Sequence, residues 1–249
     1  IMRTTLYLIL LSVYLLIATT LFFLAWLLSY PFDKSRRVIC TVSYLYANGI
    51  LRLCPWWYFR VENREKIDPK KTYVIVINHR SMLDIPLINT LGLNQKWVSK
   101  KEILKMPIFG WVLRMRGDVT IERGDAASAK HMLTECAGNL KKDISMTLFP
   151  EGTRSKDGKL KRFKEGAFVL ALNNETAILP VVTTGTWEAT NHKGKGLKMP
   201  NTFTIRFMDE IPYDSFRDKT PKELAELVHD RMDAELRHMA PEFYKDRDN

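Results

Sequence analysis

Tyr73-Val74-Ile75-Val76-Ile77-Asn78-His79-Arg80-Ser81-Met82-Leu83-Asp84 is the stretch that decides how the rest of the chain is read. Its first five residues are apolar, mostly β-branched and without polar alternation, the pattern of a strand buried on both faces of a parallel sheet. Polar residues begin where that run ends. In open α/β sheets the strands deliver functional groups at their carboxyl ends, so His79 and Asp84 are expected at an edge where ligands bind. Ser145-Met146-Thr147-Leu148 is a weaker run of the same kind and leads into Phe149-Pro150-Glu151-Gly152-Thr153-Arg154. The two loops are expected to meet on one edge despite their distance in sequence.

Residues five apart on a regular helix point about 140° away from each other, so His79 and Asp84 cannot share a helix face. They are predicted to straddle a strand-to-helix turn, with His79 in the turn and Asp84 in the first helical turn, reaching back to the imidazole. A carboxylate so placed fixes the tautomer and stabilises the imidazolium that forms when the other ring nitrogen takes a proton. Histidine needs little tuning to act as a base near neutral pH. No G-x-S-x-G elbow occurs in the chain to supply a protein nucleophile. The simpler expectation is that His79 takes the proton directly from a substrate hydroxyl, which attacks a thioester without an acyl-enzyme, so kinetics are sequential rather than ping-pong. With an arginine after the second strand, suited to a phosphate, the pattern suggests acyl transfer to a phosphorylated alcohol. Taken alone, Ser81 and Asp84 also fit an S-x-x-D helix cap, in which the carboxylate only satisfies backbone donors.

These residues resemble a known family. His79 and Asp84 in the H-x-x-x-x-D segment, the Phe149-Pro150-Glu151-Gly152-Thr153-Arg154-Ser155 segment and Ile178-Leu179-Pro180-Val181-Val182 are similar to three of the four blocks of the glycerolipid acyltransferases, above all the bacterial 1-acylglycerol-3-phosphate acyltransferases. The fourth block, typically G-x-x-F-I-D-R, is met by Gly117-Asp118-Val119-Thr120-Ile121-Glu122-Arg123, with Thr120 for the usual aromatic and Glu122 for the usual aspartate. The resemblance runs over residues 71–182. It implies transfer of a fatty acyl group from a thioester of acyl carrier protein or coenzyme A to the sn-2 hydroxyl of lysophosphatidic acid, giving phosphatidic acid without a cofactor or metal. Glycerol 3-phosphate or another lysolipid is the alternative acceptor. It further implies that His79 is the base and Asp84 its partner, while Arg123, Glu151, Gly152, Thr153 and Arg154 bind the glycerophosphate end. Glu151, which would repel a phosphate, is expected to hold an arginine or a glycerol hydroxyl. Lys105, in the K-x-P-x-x-G segment ending at Gly110, is a further phosphate candidate, on a helix expected to break near Pro107 and restart. Arg154 opens the basic run 154–164, whose later lysines are read as facing water.

The amino-terminal stretch is the other strong signal. No charged residue occurs between Arg3 and Asp33, and residues 6–28 are almost wholly apolar, more than the roughly 20 residues that span a hydrocarbon core. A signal peptide would have a shorter apolar region and a small-residue cleavage site. Lys34, Arg36 and Arg37 follow at once, and positive residues beside a span mark the cytoplasmic side, the inner face of the inner membrane in a bacterium. Residues 38–57 form a second apolar stretch with Tyr44, Tyr46, Trp56 and Trp57 and the single charge Arg52. It reads as an interfacial helix. The rival is a helix hairpin with both segments dipped into one leaflet.

Lys+Arg 38 against Asp+Glu 28 gives a formal net charge of +10, which suits an anionic bilayer surface and an acidic acyl carrier. Nucleic acid is not expected as a partner, because no recognised binding module is present. Cys40, Cys54 and Cys136 have neither disulfide-framework nor zinc spacing. The expected architecture is an α/β domain with a mixed, largely parallel sheet flanked by helices over residues 61–249, preceded by a membrane-embedded helical segment over 1–60. Helices are predicted at 126–142 and 163–172, a late edge strand at 202–207, and a terminal helix from the capping box at Thr220 to about Met239. Residues 186–200 read as a surface loop, mobile by composition.

Overall fold

The computed structural model describes residues 2–190 and 196–244. The chain runs α1 (Met2–Ser29), α2 (Arg37–Arg52), β1 (Trp57–Glu62), β2 (Val74–Ile77), α3 (Asp84–Asn89), β3 (Gln95–Lys100), α4 (Phe109–Arg116) and β4 (Val119–Ile121). It continues through α5 (Ala126–Leu140), β5 (Ser145–Leu148), α6 (Gly166–Asn173), β6 (Ile178–Thr184), α7 (Thr186–Thr190), β7 (Asn201–Phe207) and α8 (Pro221–Met239). The strands form one seven-stranded sheet in the order β1-β7-β6-β2-β5-β3-β4. β6 and β7 pair antiparallel, so β7 and its parallel neighbour β1 run against the other five strands. The sheet is therefore mixed and largely parallel, as the unbroken apolar runs imply.

Burial explains those runs. Every residue of β2 is buried, and successive side chains go to opposite faces. Ile75 and Ile77 join a core with Leu87 and Ile88 of α3 and with Ile39, Tyr46 and Leu51 of α2. Val74 and Val76 join the opposite core, with Met132 and Cys136 of α5, Phe168 of α6 and Val228 and Met232 of α8. The result is three layers, with helices on both faces of the sheet. In α8 the Thr220 hydroxyl accepts from Glu223 N–H at 3.3 Å, while the Glu223 carboxylate accepts from Thr220 N–H at 2.8 Å. The helix runs to Met239 as the capping box predicts.

α1 and α2 pair antiparallel. The Tyr7 hydroxyl donates to Ile50 O (2.8 Å), the Tyr14 hydroxyl to Tyr46 O (2.9 Å), and Arg36 lies over the ring of Trp26. Both helices contribute to the core that covers one face of the sheet, through Tyr7, Phe22, Tyr46 and Leu51. Residue 60 lies within β1, and residues of α1 and α2 share a hydrophobic cluster with residues of the sheet. The second apolar stretch is also shorter as a helix than its composition implies. α2 stops at Arg52, because Pro55 disfavours helical backbone at Cys54. Trp57 then enters β1 and is buried, against the expected place of the whole aromatic cluster at the lipid surface.

Candidate active site

β2 and β5 are neighbours in parallel register, Val76 opposite Leu148, so the loops after them leave the sheet side by side. His79 and Asp84 straddle the turn from β2 to α3 as the spacing requires. His79 Nδ1 lies 2.9 Å from Asp84 Oδ2, with the imidazole 15 % and the carboxylate 0 % exposed. An ionised carboxylate only accepts, so Nδ1 is the protonated ring nitrogen that donates to it, and Nε2 keeps a free lone pair. The ring is stacked on Phe149, centroids 3.9 Å apart, and Phe149 in turn stacks on Trp97. Asp84 Oδ2 also accepts from the backbone N–H groups of Arg80 and Ser81, both at 2.8 Å. The one carboxylate oxygen thus meets two loop N–H donors and the imidazole together.

Glu151 is tied to backbone at both of its oxygens. One carboxylate oxygen accepts from His79 N–H at 2.6 Å and the other from Lys161 N–H at 3.0 Å. It therefore holds the backbone of both His79 and Lys161. Ser155 N–H donates to His79 O at 2.8 Å, so the segment 149–155 fixes residue 79 through both of its peptide groups. Burial pushes the Glu151 carboxyl up from 4.5 to about 7, against the opposing pull of those two N–H groups. Between pH 4.5 and about 7 the folded state therefore binds more protons at this site than the unfolded one, and stability falls as pH rises through that window. Glu151→Gln, neutral at every pH, removes this slope. Its melting temperature relative to the parent is expected to rise between pH 5 and pH 8, measured by thermal melts at both. A constant offset would contradict the assignment.

A cleft of about 160 Å³ opens beside His79, lined among others by Lys100, Arg123, Gly152 and Lys164. Gly152 has φ +69, and the Lys164 chain crosses it so closely that a Cβ there would lie 2.9 Å from Lys164 Cε. Of the residues expected to bind phosphate, Arg123 and Gly152 thus line the cleft. Lys105 and Arg154 are exposed outside its lining, and the Thr153 hydroxyl accepts from Lys161 Nζ at 2.6 Å, which staples the loop. Lys164, read from its basic run as facing only water, reaches the cleft because Lys164 N–H is tied to Pro150 O at 2.8 Å. The expected break at Met106-Pro107 is present: a 3-10 helix covers Lys101–Lys105 and α4 restarts at Phe109.

A second, apolar cavity of about 290 Å³ adjoins the first through Ile85, Trp97, Ile103 and Leu113. Its walls come from α1 and α2 (Tyr7, Leu11, Ala47, Ile50), from Met82 and Leu83 beside the dyad, and from Phe109 and Val112 of α4. Sequence reading also missed two buried supports. Asn78 brackets β6, donating to Thr183 O at 2.9 Å and accepting from Thr183 N–H at 2.8 Å. Thr186 donates to Asp84 Oδ1 at 2.6 Å. The stretch 186–200, expected as a loop, begins with α7 and borders the site, while residues 191–195 lie outside the described residues.

Residues 58–184 match the sequence model of the family described as Acyltransferase. A chloroplastic 1-acyl-sn-glycerol-3-phosphate acyltransferase from Arabidopsis thaliana is 36 % identical over 68 % of this chain and 49 % of its own length. One from Limnanthes alba is 30 % identical over 82 % of this chain and 72 % of its own. One from Helicobacter pylori is 31 % identical over 68 % and 76 %. The chain spans about half the length of the chloroplastic relatives it matches, from Arabidopsis thaliana and Brassica napus. The crystal structure of the 1-acyl-sn-glycerophosphate acyltransferase PlsC from Thermotoga maritima shares the fold, with TM-score 0.79 at 24 % identity over 96 % of this chain and 95 % of that one. With the family pattern covering the loops that hold His79, Asp84 and Glu151, the chain belongs to the acyltransferase family.

Proposed function

We propose that the protein transfers a fatty acyl group from a thioester of acyl carrier protein or coenzyme A to the sn-2 hydroxyl of lysophosphatidic acid, giving phosphatidic acid. The observation that carries this reading is the His79–Asp84 pair beside a cleft that holds Lys100, Arg123 and Lys164 and adjoins an apolar cavity. His79 Nε2 takes the hydroxyl proton as the oxygen attacks the thioester carbonyl carbon. The C–S bond breaks, and the imidazolium returns the proton to the departing thiolate. Asp84 stabilises the imidazolium between the two transfers. Arg123, Lys100 and Lys164 offer the acceptor phosphate charge-assisted donors, and the exposed Arg154, two residues beyond Gly152, closes over it from the rim. Direct transfer is supported by the burial of Ser81, whose oxygen accepts from Leu83 N–H, and by the burial of Cys40, Cys54 and Cys136.

The apolar cavity suits a fatty chain, whose transfer from water is worth about 0.8 kcal/mol per buried methylene. α1 is long and apolar enough to cross a bilayer, yet both of its ends pack on the folded unit. Near the start Arg3 lies over Trp56 and the Thr4 hydroxyl accepts from Leu197 N–H; near the end Arg36 covers Trp26. That supports the hairpin arrangement, with α1 and α2 embedded in one leaflet and the cavity facing the lipid. Lys34, Arg36 and Arg37 at the turn between them suit an anionic bilayer surface. An acyl thioester supplied to the purified protein with lysophosphatidic acid, glycerol 3-phosphate and lysophosphatidylcholine tests the reading. Phosphatidic acid is the expected product, formed at least about tenfold faster than the others, a gap of 1.4 kcal/mol in activation free energy. Faster acylation of glycerol 3-phosphate would move the acceptor to that alcohol.

A further inference from the structure

We propose that Thr186 is a positioning residue for the reaction, holding the second oxygen of Asp84 so that the carboxylate aims the His79 imidazole. Asp84 is fully buried and its two oxygens do different work. Oδ2 receives His79 Nδ1 and the N–H groups of Arg80 and Ser81, whereas Oδ1 receives the Thr186 hydroxyl at 2.6 Å. A carboxylate held on one oxygen alone can swing about its Cβ–Cγ bond. The Thr186 bond fixes the carboxylate plane and, through Nδ1, the direction in which Nε2 points.

Thr186 is itself held in place. Gly185 turns the chain out of β6 at φ +90, where a Cβ would lie 2.0 Å from Thr202 O, so this tight turn admits only glycine. Asn201 Nδ2 donates to Gly185 O at 2.9 Å. The rest of α7 presses on the same catalytic loop. Thr190 Oγ1 lies 3.2 Å from Ser81 Oγ, and Glu188 pairs with the buried Arg80 guanidinium at 3.5 Å. The other side of Arg80 is covered by the Phe243 ring, 4.3 Å away. Three side chains of a five-residue helix thus meet three members of the loop that carries the dyad.

The inference rests on His79 and Asp84 acting as the base pair, and the experiment separates the two. Thr186→Val keeps the shape and removes the hydroxyl, Thr186→Ser restores the hydroxyl alone, and His79→Ala serves as the reference. Steady-state rates are measured on the folded, full-length protein with both substrates varied. Thr186→Val is expected to lower kcat by about 10- to 100-fold, the range for a misaimed catalytic group, and to leave both KM values within about twofold. Thr186→Ser is expected to recover most of kcat. An unchanged kcat in Thr186→Val, a loss confined to KM, or a serine variant as slow as the valine one would overturn the positioning role. Should His79→Ala keep its turnover, the base reading itself fails; should it lose turnover while Thr186→Val keeps it, only the role of Thr186 fails.

Discussion

His79→Ala is expected to lower turnover by about 10²- to 10⁴-fold, the share a positioned general base supplies, while leaving the fold in place. The second half of that expectation comes from how residue 79 is held. Its ties to the neighbouring loop are made by its backbone, with N–H to Glu151 and carbonyl from Ser155, and neither depends on the imidazole. What alanine removes is the bond to Asp84 and the stack on Phe149 at a partly open position. An acyl-transfer assay with a parallel thermal melt checks both statements. Turnover within about threefold of the parent would eliminate the imidazole as base, because so small a change amounts to well under 1 kcal/mol of barrier.

The second large effect distinguishes the two jobs of Asp84. In Asp84→Asn the amide oxygen is expected to take the place of Oδ2, since two backbone N–H groups and His79 Nδ1 converge there. The amide nitrogen then faces Thr186, whose hydroxyl can accept. The loop survives, the imidazole keeps its tautomer, and only the negative charge opposite the imidazolium is lost. A rate loss on the order of 10²-fold follows, equal to about 3 kcal/mol of transition-state stabilisation. Asp84→Ala instead strands the Arg80 and Ser81 N–H groups and the Thr186 hydroxyl in a buried site, at about 1–3 kcal/mol each. Its melting temperature is expected to fall by on the order of 10 °C on top of the rate loss. If asparagine melts as low as alanine, the charge rather than the oxygen holds the loop, and the proposed amide orientation is wrong.

Much of this architecture was legible in the chain because it depends on local or periodic features. The unbroken, β-branched apolar run at 73–77 reads as a strand covered on both faces, and β2 is buried at every residue. The capping box at Thr220 set the start of α8 through bonds that span three residues. The five-residue spacing of His79 and Asp84 required a strand-to-helix turn, and the two loops met because parallel strands deliver their carboxyl ends to one edge. What the chain did not disclose rests on contacts made from far away in sequence. Glu151 serves the backbone of His79 because β2 and β5 are neighbours; Lys164 reaches the cleft because its N–H is caught by Pro150; Trp57 is buried because β1 adds to β7.

The sequence by itself therefore determined a largely parallel α/β sheet, a long apolar amino-terminal helix and the meeting of His79 with Asp84 across one strand-to-helix turn, since these follow from periodicity, hydropathy and short spacings. Only the tertiary structure decided that the two amino-terminal helices share the sheet's core, that Thr186 closes the second oxygen of Asp84, and that Lys164 rather than Lys105 lines the cleft. The physical reason is that a hydrogen bond or a buried face takes its direction from the partner that packs against it, and that partner is chosen by the order of strands in the sheet.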